Sequence, residues 1–298
     1  MKRESYADKV FIVFNSIFLC ALVFIVLYPL VYVVSASISN PVLVNTGQMW
    51  LWPKEITFEG YKRVFENSDI WMGYKNTIIY TLLGVAIHLF ILLPCAYAVS
   101  RRGLMGKKAI MWYFLFTMFF NGGLIPTYLL VKDLGMVNTL WAMVLPNALG
   151  VWSIIVARTF FQQNVPNELV EAAEIDGASD FYIFFKIVIP ISAPIIAVMG
   201  LFHGVGLWNQ YFNGLIYLND HSKYPLQLIL REILILNQMD TDMLMDSAQN
   251  LESLAEQARI ADIIKYAVMI VSALPLLIIY PFLQKYFVKG VLIGSIKE

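Results

Sequence analysis

Residues 165–179 read Val165-Pro166-Asn167-Glu168-Leu169-Val170-Glu171-Ala172-Ala173-Glu174-Ile175-Asp176-Gly177-Ala178-Ser179, and the chain runs on to Phe185-Lys186-Ile187-Val188-Ile189-Pro190. Asn167 can cap a helix, because its side-chain oxygen can accept from an N–H that the first turn leaves unpaired. Glu168 and Glu171 place negative charge at the positive end of the helix dipole. The run through Glu174 is strong helix-forming sequence with small residues on one side. Gly177 supplies the stop, since a residue without Cβ can turn the chain there. A second amphipathic stretch, 179–189, leads to Pro190. The expectation is a short helix–turn–helix whose small-residue surface a partner can approach closely.

This polar element is an island in apolar sequence. The chain of 298 residues is 59% hydrophobic and 14% charged, with mean hydropathy +0.67. Soluble domains run nearer 45–50% apolar and about 25% charged, so lipid is the natural solvent for the surplus. A helix needs roughly 20 apolar residues to cross about 30 Å of hydrocarbon. Stretches 10–34, 76–100, 109–131, 137–157, 187–218 and 266–284 meet or approach that length without Asp, Glu, Lys or Arg. The fold class expected is therefore an all-α polytopic membrane protein of about six transmembrane helices, a single domain over 1–298, with 158–186 as a cytoplasmic loop. The first run follows Met1-Lys2-Arg3 but is too long for the apolar region of a signal peptide, so it reads as a retained span. Prolines inside the runs are tolerated where neighbouring helices satisfy the freed carbonyls.

Orientation follows from Arg101, Arg102, Lys107 and Lys108, which crowd one short loop. Basic residues near the membrane favour the cytoplasmic side, and that placement puts both termini inside. The outer loop 35–75 carries Trp50, Trp52 and Trp71, suiting a segment at the interface. The outer loop 219–265 has acidic Asp240, Asp242 and Asp246, a solvated face or a partner contact, and then a helix-like stretch 250–262.

Inside the spans, charged residues are missing while polar ones cluster. Trp208, Asn209, Tyr211 and Asn213 fall close together, and Asn209 and Asn213 at i, i+4 share a helix face. An amide pair beside aromatics suits a sugar, whose hydroxyls want hydrogen bonds and whose ring faces stack. Hydrogen bonding between helices explains the same residues equally well. Asn121 with Gly122 and Gly123 breaks or kinks the third span and can line a path or allow close packing. Gly200-x-x-x-Gly204 is a packing motif, and His88 reads as a buried, satisfied histidine. No metal site is expected from three scattered histidines, and Cys20 and Cys95 do not read as a disulfide. No nucleophile–base pair or paired carboxylate points to an enzyme. A secondary transporter would mark its ion path with ionisable residues inside the spans; that and a non-transport scaffold are the alternatives. The phosphate loop G-x-x-x-x-G-K-[ST] is absent, so ATP chemistry must come from another chain.

The quoted loop resembles that of ABC importer permeases, whose pattern is E-A-A, then Gly, then I-x-L-P. Glu171-Ala172-Ala173, Gly177, Ile187 and Pro190 fall on those positions, with Ile189 where the family has Leu. The chain is similar to the carbohydrate branch, in particular the smaller permease of maltose-type importers. That likeness rests on Gly123-Leu124-Ile125-Pro126-Thr127-Tyr128, Leu134-Gly135-Met136-Val137-Asn138-Thr139, Phe212-Asn213, Tyr224-Pro225-Leu226 and Lys285-Tyr286-Phe287-Val288-Lys289-Gly290. Within the branch it looks like the group moving larger oligosaccharides, including uronate-containing ones such as alginate. The resemblance implies that Glu171 to Gly177, Asp176 included, form a coupling helix seated in an ATPase groove. It implies a second permease, two ABC ATPase subunits that bind ATP and Mg, a solute-binding protein and a carbohydrate substrate, in a bacterial cytoplasmic membrane. No cofactor is implied in this chain. The tail 291–298 would reach between the ATPases, and the acidic residues 240–246 would touch the binding protein.

Overall fold

In the computed structural model residues 5–245, 264–281 and 284 are described, and every regular element among them is helical. By their contacts the helices gather into two compact units, Met1–Ser68 with Leu230–Leu274 and Asp69–Ile229 with Pro275–Glu298.

In the first unit, helix Tyr6–Ser37 has 32 residues and a mean hydropathy of 2.9 over its most apolar window. At 1.5 Å per residue it is about 48 Å long, more than the ~30 Å of hydrocarbon it must cross. None of that window is buried within the chain. Beyond its end the backbone doubles back: the Thr57 N–H donates to the Ile38 carbonyl at 3.0 Å and the Asn40 N–H to the Lys54 carbonyl at 3.1 Å. Ser37 Oγ and the Tyr61 hydroxyl lie 2.8 Å apart, and Met49 packs with Ala36 and Val44. This frame leaves Trp50 and Trp52 exposed, as suits side chains at a membrane–water boundary.

The second unit is organised by helix Ser68–Ser100. Its buried positions, Ile70, Gly73, Thr77, Tyr80, Gly84, His88, Leu92, Ala96 and Val99, recur every three or four residues and draw one stripe down the helix. Small residues on that stripe let neighbours approach. A Cβ on Gly84 would collide with the Leu207 side chain, and one on Gly73 would lie 2.9 Å from Leu226 Cα. Two polar groups on the stripe are fully paired: Thr77 Oγ1 accepts from the Leu226 N–H at 2.8 Å, and the Tyr80 hydroxyl donates to the Lys223 carbonyl at 2.8 Å.

Three helices are long and apolar enough to cross a membrane among the described residues, and two bent pairs bring the number to five. The expected third span is the pair Lys107–Phe119 and Leu124–Asp133, bent by 109°. The break falls at Asn121–Gly123, where Asn121 Oδ1 accepts from the Gly123 N–H at 3.0 Å and Gly123 takes φ +82°. The expected fourth span, 137–157, is not one helix. It divides into Leu140–Val144 and Val151–Asn164, because Pro146 lacks the N–H to continue and Gly150 is extended. The second piece also carries helix past 158, the expected start of the loop. The fifth span begins earlier than 187 and ends earlier than 218: Asp180–Ile191 and Ala193–Trp208 meet at 78°. Pro194 contributes no N–H there, and the Ser192 N–H is shared between the Val188 and Ile189 carbonyls. The sixth is Ile264–Pro281. The stretch 219–265, expected as an outer loop, contains a 20-residue helix, Leu226–Met245, whose first turns are buried. Residues 250–262 and the tail from 285 lie outside the described residues.

Candidate functional site

The quoted loop is helical over Asn167–Ile175. Asn167 is already the first helical residue, so Pro166 takes the capping position and the expected Asn167 cap is not made. A cap must lie outside the helix, and Pro166, with its φ of −60°, sits naturally at the entrance. The end is built as expected. The Gly177 N–H donates to the Glu174 carbonyl at 3.0 Å and the Ala178 N–H to the Ala173 carbonyl at 2.9 Å, the paired bonds of a Schellman turn. Gly177 has φ +81°, and a Cβ there would meet nothing within 4 Å. Backbone conformation, not space, therefore demands glycine. Ser179 Oγ then accepts from the Tyr182 N–H at 3.3 Å to open the next helical turn.

The loop is fastened to the bundle. Val170, Ile183, Phe184 and Val188 are buried with Leu92, Ala96, Val99 and Phe161, and Ala173, Ala178 and Ile187 pack against the same cluster. On the other side Glu171, Ala172, Asp176 and Gly177 are exposed, and Pro190 is exposed just ahead of the Ser192 bend. Ile175 is 86% and Phe181 78% exposed, and Leu169 also faces out. Sequence reading passed over these three apolar residues. Their signal was position: they lie off the stripe through Val170 and Ala173 that faces the core.

The polar cluster of the fifth span is not one surface. Its helix ends at Trp208 and the next begins at Phe212, so Asn209 and Asn213 do not share a helix face. Asn209 closes the helix, its side-chain amide donating to the Val205 carbonyl at 3.0 Å. Trp208 is 4% exposed, with its ring 6.1 Å from that of Tyr74. Asn213 is half-buried and its amide nitrogen lacks a partner. Asn121, Asn209 and Tyr211 are exposed. Gln210, outside the expected set, donates to the Met143 carbonyl at 2.9 Å. His88 Nδ1 lies 2.8 Å from the Ala148 carbonyl, but its Nε2 has no partner, and its ring stacks on that of His203 at 4.0 Å.

At the other end of the bundle Asn138 ties the turn 217–223 together. With φ +59°, it accepts at Oδ1 from the Asn219 and Asp220 N–H groups at 3.2 and 3.1 Å, and its carbonyl accepts from Lys223 Nζ at 3.0 Å. Asp220 is held below the ordinary carboxylate pKa by the Ser222 hydroxyl and N–H and by Lys223. Asp240 and Asp242 fall on helix Leu226–Met245, and Asp246 lies outside the described residues. Among the described residues no group of three or more His, Cys, Asp or Glu could hold a metal ion.

Comparison with known proteins places this architecture. A family model described as "Binding-protein-dependent transport system inner membrane component" matches residues 1–293. Protein LplC of Bacillus subtilis is 38% identical over 99% of this chain and 97% of its own. The polygalacturonan/rhamnogalacturonan transport system permease protein YtcP of Bacillus subtilis is 39% identical over 94% of this chain and 96% of its own. Among solved structures, a chain from a bacterial ABC transporter involved in the import of the acidic polysaccharide alginate superposes with a TM-score of 0.82 at 32% identity, covering 96% of this chain and 100% of that one.

Proposed function

The chain belongs to the family of binding-protein-dependent transport system inner membrane components, and from that premise we propose that it is the permease subunit of an ABC importer carrying an oligosaccharide rich in uronate. Relatives named for polygalacturonan and for alginate support the acidic substrate class. The partners are a solute-binding protein, a second permease and two ATPase subunits, which bind ATP and Mg and perform the hydrolysis. Both termini face the cytoplasm, on the side where Arg101, Arg102, Lys107 and Lys108 gather.

One observation carries the coupling role: the helix Asn167–Ile175 is buried on one side against the spans and bare on the other. Glu171, Ala172, Asp176 and Gly177, with Leu169, Ile175 and Phe181, form the surface offered to an ATPase. Ala173, Ile187 and Pro190 join that surface to the bent fifth span. Closure of the ATPases would push on this helix and the load would pass through Val170 and Phe184 into helix Ser68–Ser100. On this reading Asn121, Asn209, Tyr211 and Asn213 line the sugar path with Trp208 beside it as packing, and the acidic residues Asp240, Asp242 and Asp246 serve contact with the binding protein.

The test is ATPase activity of the complete complex in vesicles, with binding protein and either neutral or uronate oligosaccharides. Stimulation that needs both the binding protein and a uronate chain is expected. Activity indifferent to every sugar would overturn the reading. Glu171→Lys should leave the complex assembled while lowering stimulated hydrolysis about tenfold or more, the scale for reversing one partner of an interfacial charge pair. Unchanged stimulation would remove Glu171 from the interface.

A further inference from the structure

Side chains of helix Ser68–Ser100 take up the backbone of residues 222–226 almost group by group. Asn76 Nδ2 donates to the Ser222 carbonyl at 2.9 Å and to the Tyr224 carbonyl at 3.0 Å. The Tyr80 hydroxyl donates to the Lys223 carbonyl between them at 2.8 Å. Thr77 Oγ1 accepts from the Leu226 N–H at 2.8 Å. That N–H opens helix Leu226–Met245, where first-turn donors have no partner within their own helix, and Pro225 before it has no side-chain acceptor to cap it. The segment is also held close. Pro225 and Leu226 are buried, and a Cβ on Gly214 would lie 3.0 Å from Pro225 Cδ.

Apolar contact alone does not call for these polar groups. It tolerates sliding, whereas hydrogen bonds to successive backbone groups fix the register of the segment on the helix. Thr77 is 1% and Tyr80 6% exposed, so a lost bond leaves a buried group unpaired. The far end of the same helix is fixed as well: Leu92, Ala96 and Val99 are buried with Val170, Ile183 and Phe184. From Thr77 to Ala96 is nineteen residues of unbroken helix, about 28 Å, close to the ~30 Å of a hydrocarbon core. One rigid element therefore holds a turn at one membrane face and the loop 165–179 at the other. Beside the fixed carbonyls, Asn219, His221 and Ser222 are exposed at the tip of the turn.

We propose that Asn76, Thr77 and Tyr80 are positioning residues: they lock residues 222–226 to helix Ser68–Ser100, so that docking of the loaded binding protein on the exposed tip moves this helix and the coupling helix as one piece. The inference rests on the importer reading and on its orientation, which puts the turn outside and the coupling helix inside. Coupling between two sites is reciprocal, so a load path from the ATPases through Phe184 into this helix must also carry a signal from its outer end. None of the three residues touches sugar or ATPase in this account. They act through the backbone they hold.

ATPase activity of the complete complex in vesicles, titrated with binding protein saturated with a uronate oligosaccharide, tests it in the near-isosteric Thr77→Val. The maximal stimulated rate should fall about fivefold, the scale of one net hydrogen bond. Basal hydrolysis and the half-saturating concentration of binding protein should stay at their parent values. Thr77→Ser keeps the acceptor oxygen and should return most of the loss. Tyr80→Phe loses only the hydroxyl and should show the same split, and it decides the matter where Thr77→Val does not assemble. Unchanged maximal stimulation in both variants overturns the proposal. So does a raised half-saturation alone, the mark of a docking surface, or a fall of basal and stimulated rates together with the Tm, the mark of packing alone. A parent complex that the loaded binding protein does not stimulate overturns the importer reading, and this inference with it.

Discussion

Helices Tyr6–Ser37 and Ser68–Ser100 are nearly twins by composition, at 32 and 33 residues with window hydropathies of 2.9 and 2.3. Yet the first buries none of its apolar window within the chain and the second 28%. Apolar content decides that a segment enters lipid, but lipid is as apolar as leucine and gives no reason for helices to pack. What separates the two is the stripe Gly73, Thr77, Gly84 and His88, where small side chains admit neighbours and polar ones need partners. The first helix buries Ser35, Ala36 and Ser37 at its end alone, and its phenylalanines are exposed.

The contrast breaks most readily at Gly84. Gly84→Leu drives a side chain into Leu207, and a loss of about 3 kcal/mol is expected, the upper end for overpacking. Thermal unfolding in detergent reads it, and an unshifted Tm would mean that the stripe is not a packing face. His88→Ala comes next, at about 2 kcal/mol, since it opens a cavity and leaves the Ala148 carbonyl unpaired. His88→Asn, able to restore that bond, should recover part of the loss. Gly177→Ala sharpens the comparison at the loop fastened to the second helix. It meets no atom but must hold left-handed backbone, so about 1 kcal/mol is expected, read as faster amide exchange at Ala178. In the first helix Phe24→Ala should change the stability read from thermal unfolding by no more than about 0.5 kcal/mol. A larger shift would show that this helix is packed after all.

The smallest effect is that of Asp220 in the turn Asn138 holds. Its pKa is depressed in the folded chain, so its contribution is present above the ordinary carboxylate value. That contribution fades as pH falls through the lowered one. Asp220→Asn should therefore narrow the Tm gap to the parent as the solution is acidified through that window. A gap constant with pH would mean that the carboxylate does not titrate there.

Much of the helix and turn over 167–179 was legible because its signals are local. The glycine stop needs only Gly177 and the carbonyls before it, and the structure makes both bonds of that turn. The break at Asn121–Gly123 was legible for the same reason. The polar cluster was not. Reading Asn209 and Asn213 as one face assumed a helix running through Gln210, whereas that side chain binds the Met143 carbonyl and the helix stops at Trp208. The failure of 137–157 as one span was written in Pro146 and Gly150. Prolines elsewhere, such as Pro29 and Pro94, sit inside unbroken helices, so the residue type alone did not decide.

From sequence alone came the membrane setting, the helical class, the helix and glycine turn of the loop 165–179 and the family likeness, because hydropathy and short-range hydrogen bonding are properties of neighbouring residues. Only the tertiary structure decided which long helix packs, where the fifth span bends, and that Glu171 and Glu174 share the lining of one cleft with Arg101 and Arg102. Those depend on residues far apart in the chain meeting at one place, and a uniformly apolar helix carries no pattern that says which of its faces will be met.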